Sequence, residues 1–174
     1  EYLEDFCNTP IGDKLAVPLD EVKEINSTSG TISGFPQPCC STRRDVEFSQ
    51  GDHVRMAWAV GARPSDVVQT LLWLIDRAYA MLGATVMTSM AGRGNLDYHI
   101  RLAKLMNVTV LVQMPSFALR YLERAKEMGI NIRETKLRLI IGFAEPLAET
   151  VRNKVKSEYG VSFRMMYGAT ETGG

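Results

Sequence analysis

Residues 25–38 read Ile-Asn-Ser-Thr-Ser-Gly-Thr-Ile-Ser-Gly-Phe-Pro-Gln-Pro. Hydroxyls and glycines this dense mark a loop whose backbone comes close to a guest. Glycine admits positive φ and leaves amide N–H groups unshielded, while Ser and Thr add donors without bulk. Phosphate suits such a loop. A Walker loop would need Gly-Lys-Ser/Thr opening a helix, but Gly34 is followed by Phe35-Pro36. The dinucleotide fingerprint Gly-x-Gly-x-x-Gly is also missing from the stretch. A second dense cluster, Tyr167-Gly168-Ala169-Thr170-Glu171, stands near the other end. Taken singly, Glu171 reads as a solvated carboxylate and Tyr167 as a packing residue at a strand end. The glycine stretch alone reads as an ordinary hairpin loop. Only their combination argues for a site.

The intervening chain supplies the elements to position them. Val22 to Ser27 and Gln37 to Ser41 read as strands flanking the glycine loop, as a hairpin. Ser41 or Thr42 caps a helix expected to run to about Val60, with Gly51 and His53 as weak points. Strand and helix then alternate. Val67-Val68 opens a strand, and Leu71 to Leu82 reads as an apolar helix stopped by Gly83. Thr85 to Thr88 is strand-like. Asn95 is placed to cap a helix carrying Leu96, Ile100, Ala103 and Met106 on one face. Val108 to Val112 reads as a strand buried on both sides. Pro115 opens the next helix and Gly129 ends it. Leu137 to Ile141 is a further strand, Pro146 starts a helix ended by Gly160, and Ser162 to Tyr167 is the last strand. This alternation predicts an α/β fold with a mostly parallel sheet and helices on both faces. In such sheets ligands bind beyond the carboxyl ends of the strands. That selects the loops 113–116, 142–146 and 168–174.

Composition narrows the function classes. Of 174 residues, 45% are hydrophobic and 23% charged, which is globular. Lys plus Arg and Asp plus Glu are 20 each, so no basic field invites nucleic acid or an anionic membrane. No apolar run reaches transmembrane length and no leader pattern is visible. The three cysteines, Cys7, Cys39 and Cys40, form no Cys-x-x-Cys pair, so a reduced cytoplasmic setting is expected. Cys39 and Cys40 read as buried strand residues, and His53 and His99 as surface or helix-face residues.

The residues Ser27-Thr28-Ser29-Gly30-Thr31-Ile32-Ser33-Gly34-Phe35-Pro36 resemble the Ser/Thr-Ser-Gly-Thr-Thr-Gly-x-Pro loop of adenylate-forming enzymes. Tyr167-Gly168-Ala169-Thr170-Glu171 is similar to their Tyr-Gly-x-Thr/Ser-Glu signature. Within that superfamily, Leu15-Ala16-Val17-Pro18, Asp66-Val67-Val68-Gln69, Leu82-Gly83-Ala84-Thr85-Val86, Pro115-Ser116-Phe117-Ala118-Leu119, Lys126-Glu127-Met128-Gly129-Ile130 and Ala144-Glu145-Pro146 resemble the phenylacetate–coenzyme A ligase branch. The resemblance implies that residues 1–174 are part of the large N-terminal, AMP-binding domain, with the small C-terminal domain outside them. The ribose-binding Asp and catalytic Lys of the family would lie downstream.

The resemblance also implies roles. Ser27, Thr28, Ser29, Gly30, Thr31, Ser33 and Gly34 would grip the β- and γ-phosphates of ATP. Thr170 would meet the α-phosphate and Glu171 would hold Mg²⁺. Tyr167 and Gly168 would lie by the adenine, with Ala144, Glu145 and Pro146 lining the nucleotide pocket. A carboxylic acid would attack the α-phosphate, and coenzyme A, as co-substrate, would capture the acyl-adenylate. The acyl pocket is expected between Pro115-Ser116-Phe117 and Gly173-Gly174, with Trp73 as a wall, and an aromatic or hydrophobic acid is the expected substrate. The partners are small molecules, an acid and a nucleotide, and a homodimer is an allowed assembly.

Three departures qualify the match. The glycine loop carries Ile32-Ser33 where one Thr is usual. Gly142-Phe143 replaces Phe-Gly, which would bring a ring near the adenine. The branch's aromatic, glycine-rich insertion after Gln69 is shortened. Two alternatives stay open: an acceptor other than coenzyme A, and a nucleotide-binding module without catalysis.

Overall fold

The structure, a computed structural model, describes residues 9–28, 30, 34, 36–70, 75–88 and 96–168. The chain divides into two compact units, Glu1–Asp52 with Gly168–Gly174, and His53–Tyr167.

In the first unit, β1 (Val22–Ser27) and β2 (Pro38–Thr42) pair antiparallel, with Ser27 opposite Pro38 and Ile25 opposite Cys40. Two short 3₁₀ turns, Ile11–Lys14 and Leu19–Glu21, precede the hairpin. Cys39 and Cys40 are half-buried rather than buried, in a ribbon of only two strands. Helix α1 (Arg43–Ala59) follows β2 at once. Its start is a reciprocal cap: Asp45 accepts from Thr42 N (2.9 Å), and Thr42 Oγ1 accepts from Asp45 N (3.3 Å). The Thr42 N–H and the Thr42 hydroxyl (2.8 Å) both donate to the Asp45 carboxyl and hold it below its ordinary range. With its start secured, the helix continues through Gly51 and His53.

The second unit is a five-stranded, all-parallel sheet. Its strands are β3 (Val67–Thr70), β4 (Thr85–Thr88), β5 (Val110–Val112), β6 (Leu139–Gly142) and β7 (Ser162–Met165), in the order β4-β3-β5-β6-β7. Four helices alternate with them: α2 (Asp76–Leu82), α3 (Leu96–Leu105), α4 (Pro115–Glu127) and α5 (Glu149–Tyr159). Parallel neighbours cannot be joined by tight turns, so each crossover carries a helix. Pro115 sits in the first turn of α4, while Gly83 (φ 96°), Gly129 (φ 72°) and Gly160 (φ 75°) follow helix ends in the left-handed conformation that only glycine adopts without strain. The helix expected from Pro146 begins instead at Glu149, after Ala148.

Alternation along the strands feeds two cores, because successive side chains point to opposite faces. Leu111, Ile140 and Phe163 pack with Ile100 of α3, Leu122 of α4 and Val155 of α5. Val68, Val110, Val112 and Ile141 pack on the other face with Tyr79 of α2 and Ala57 of α1. Each fully buried Leu or Ile contributes roughly 1.5–3 kcal/mol. Helices therefore cover both faces. No helix among the described residues is long and apolar enough to cross a membrane.

Polar groups lock the amino edge of the sheet. Asp66 is buried just before β3 and accepts four bonds. Thr109 Oγ1 (2.8 Å), Arg138 Nε (3.1 Å), Arg138 Nη2 and Arg63 N (2.7 Å) all donate to its carboxylate. Three segments are thereby tied to β3.

Candidate functional site

At the carboxyl edge, three loops meet beyond the strands. After β5, the backbone N–H of the buried Gln113 donates to Ile141 O (3.0 Å), extending the ladder one residue past the strand. Its side-chain oxygen turns back to accept from Met114 N (2.8 Å). After β7, Met166 N donates to Gly142 O (2.8 Å), which carries the chain outward to Tyr167. The Tyr167 ring is 89% exposed. It is therefore not a packing residue, and an aromatic face this open at a sheet's carboxyl edge is free to stack on a flat ligand.

Between them, the loop after β6 is the most constrained backbone of the site. Ala144 adopts φ 64°, and Glu145 N donates to Phe143 O (2.8 Å). A bond spanning two residues about a positive-φ centre is a strained γ-turn. A side chain in that region costs on the order of 1–3 kcal/mol, and such strain persists only where neighbours hold it. The next side chain, Glu145, bonds across to α4. Its Oε2 accepts from Ser116 N and its Oε1 from Ser116 Oγ, both at 2.9 Å. Ser116 lies in the first turn of α4, where free N–H groups and the helix dipole favour an anion.

The exchanged pair Gly142-Phe143 also finds its reason here. A Cβ on Gly142 would lie 2.5 Å from Met165 Sδ and 2.9 Å from Phe163 Cε2, so only glycine fits that strand end. Phe143 packs against the core face shared by Val112 and Ile141. The ring is half-buried against that core.

In the hairpin unit, Thr28 N donates to Gln37 O and Gln37 N to Thr28 Oγ1, each at 2.9 Å, closing the base of the glycine loop. Gly30 (φ 71°) and Gly34 (φ 72°) are both left-handed, and Gly34 N donates to Gly30 O (2.7 Å). A Cβ on Gly34 would meet nothing within 4 Å, so backbone conformation rather than space selects glycine there. Ser27 ends β1.

Of the residues expected in the site, Ala144, Glu145, Pro146 and Tyr167 line the carboxyl edge of adjacent strands, and Ser27, Thr28, Gly30 and Gly34 belong to the hairpin unit with Gly168. Ser29, Thr31, Ser33, Thr170 and Glu171 lie outside the described residues, as do Trp73, Asn95, Gly173 and Gly174. Among the described residues no group of His, Cys, Asp and Glu is placed to hold a metal ion.

The structure adds a buried polar cluster under the edge. Gln69 Nε2 donates to His99 O (3.2 Å), and its oxygen accepts from Tyr121 Oη (3.3 Å). Burial raises the Tyr121 and Tyr79 hydroxyls far above their ordinary range and lowers the His99 imidazole below its own. His99 is thus a buried side chain of α3, not a surface one.

No family model matches the chain. It is 27% identical over 177 residues to the phenylacetate–coenzyme A ligase of Pseudomonas putida, covering 94% of this chain and 38% of that protein. The corresponding ligase of Aromatoleum evansii is 28% identical over 180 residues, covering 96% and 39%. The chain therefore spans less than half the length of these curated relatives. A 2-hydroxyisobutyryl-CoA ligase, solved in complex with 2-HIB-AMP and CoA in its thioesterification state, superposes with a TM-score of 0.79 at 25% identity. It covers 92% of this chain and 36% of that one. The chain is thus similar in sequence and in fold to CoA ligases. Its α/β architecture is the one these relatives share.

Proposed function

We infer that this chain forms part of the large AMP-binding domain of an ATP-dependent acid–coenzyme A ligase. The observation that carries the reading is the gathering of Tyr167 and the Ala144–Pro146 turn at one carboxyl edge, within a chain whose relatives are CoA ligases along nearly its whole length. An exposed aromatic ring beside a rigid turn is chemically suited to adenine, through stacking on one side and fixed backbone on the other. The glycine loop fits phosphate: Gly30 and Gly34 hold positive φ, a conformation that lets backbone N–H groups converge on an anion.

In this reading the substrate carboxylate attacks the α-phosphorus of ATP. The P–O bond to pyrophosphate breaks, and an acyl-adenylate forms. The coenzyme A thiol then loses its proton, attacks the acyl carbon and expels AMP. Ser27 to Gly34 offsets charge on the departing pyrophosphate. Thr170 bonds the α-phosphate. Glu171 supplies a hard oxygen ligand suited to Mg²⁺, whose charge neutralises phosphate oxygens when bound. The proposed acid is aromatic or hydrophobic, received beside Pro115, Ser116 and Phe117.

Pyrophosphate exchange on the full-length protein carrying this chain tests the reading. Exchange should require ATP and an apolar acid, and Glu171→Gln should lower its rate roughly a hundredfold, the loss expected for one electrostatic contact to the transition state. Full activity in that variant removes Glu171 from the reaction. Exclusive use of small polar acids rejects the apolar substrate.

A further inference from the structure

Glu145 belongs to the segment assigned above to the nucleotide pocket, yet both its carboxylate oxygens are already taken by Ser116. The residue before it is held in a left-handed turn that alanine does not favour. The bridge runs from the loop after β6 to the first turn of α4, 29 residues away in sequence. It also places a negative charge on the amino end of α4, so that helix end is already occupied and does not compete for the phosphates of a ligand.

We propose that Glu145 is a positioning residue, which binds no ligand itself but holds the Phe143–Glu145 turn in the shape that receives the nucleotide. The inference rests on the ligase reading for the identity of the ligand. It does not need that reading for the bridge itself. Without the carboxylate, the Glu145 N to Phe143 O bond is left to oppose relaxation of Ala144 to negative φ. The turn then opens and its backbone leaves the position beside Tyr167's loop, which hangs from the same strand end through Met166 N and Gly142 O.

The test compares wild type, Glu145→Ala, Glu145→Gln and the double variant Glu145→Ala/Ala144→Gly in the full-length protein. AMP binding is measured by calorimetry, and amide hydrogen exchange is followed over residues 113–118 and 142–147. Loss of a charge-assisted bridge should weaken AMP about tenfold in Glu145→Ala and speed exchange in both segments. Glu145→Gln should fall between, because its amide oxygen accepts while its NH₂ group cannot take the Ser116 N–H. Ala144→Gly should restore most of the affinity, since glycine reaches positive φ without a Cβ penalty. A residue that merely capped α4 would gain nothing from that second change. Unaltered affinity and exchange in Glu145→Ala overturn the proposal. Lost affinity that Ala144→Gly does not recover overturns it too, and makes Glu145 a direct contact. If wild type itself binds no AMP, the ligase reading fails and the nucleotide role fails with it, while the exchange data report separately on the bridge.

Discussion

The two edges of the parallel sheet handle charge in opposite ways. At the amino edge, Asp66 has 4% of its side chain exposed and is wrapped by Thr109, Arg138 and the Arg63 backbone. Every bond there ties another segment of the chain to the start of β3. At the carboxyl edge, Glu145 bridges to Ser116 across two loops, beside a strained alanine and a tyrosine standing in solvent. The first arrangement lowers the energy of one fold. The second spends some of that stability on shape. The strained Ala144 and the exposed Tyr167 stand where ligands of α/β sheets bind, and the buried, paired Asp66 stands at the opposite end.

Removing Asp66 should separate the two most widely. Asp66→Ala takes the carboxylate from both donors, leaving Arg138 with Gly61 O (3.0 Å) and the Thr109 hydroxyl with Val67 O (3.3 Å), and breaking a buried pair from one side costs about 3–5 kcal/mol. Arg138 is 46% exposed and can rehydrate, which favours the lower end of that range. Urea unfolding reads the loss. AMP affinity in the protein that remains folded should stay as it was, because no bond of Asp66 reaches the carboxyl edge. A variant that keeps its stability would show that the amino edge is not the lock described here.

Tyr167→Ala is the converse. With its ring exposed, truncation should leave the urea midpoint within about 0.5 kcal/mol of wild type. Nucleotide binding should weaken by about 1–3 kcal/mol, the scale of a base stacked on an aromatic side chain. Equal losses of stability and affinity would break the contrast between the edges.

Much of this architecture was legible before any coordinates. Pro115, Gly83, Gly129 and Gly160 punctuate the helices through rules that act over one turn, so they read correctly from local sequence. The central strands β5 and β6 were legible because parallel strands buried on both faces are continuous apolar runs. Pairings across the fold did not read at all. Asp66 and Arg138 lie 72 residues apart, and Ser116 and Glu145 lie 29 apart. No periodicity links such residues. Pro146 misled because proline often opens a helix, whereas here the γ-turn at Ala144 and the bridge at Glu145 occupy the residues before it, and the helix waits until Glu149. For His99 the sequence left surface and helix face open, and the α3 face that carries it turns inward with Ile100 and Ala103.

His99 lies between the two edges and offers the gentlest probe of them. Its backbone oxygen accepts from Gln69, its ring is buried, and its Nδ1 meets no partner among the described residues. Burial disfavours the charged imidazolium, so the folded-state pKa lies below the unfolded value of about 6.5. The sign follows from proton counting. Above pH 6.5 neither state holds the proton and the contribution to stability is complete. As pH falls through 6.5 the unfolded chain takes up a proton that the folded chain still refuses, and stability declines until the folded pKa is reached. Urea midpoints at pH 7.5 and 5.5 should therefore differ, with the lower value at pH 5.5. A His99→Gln variant should remove that part of the difference, because glutamine does not titrate. If His99→Gln leaves the pH difference whole, the imidazole is solvated in the native protein and the middle of the sheet is more open than its packing shows.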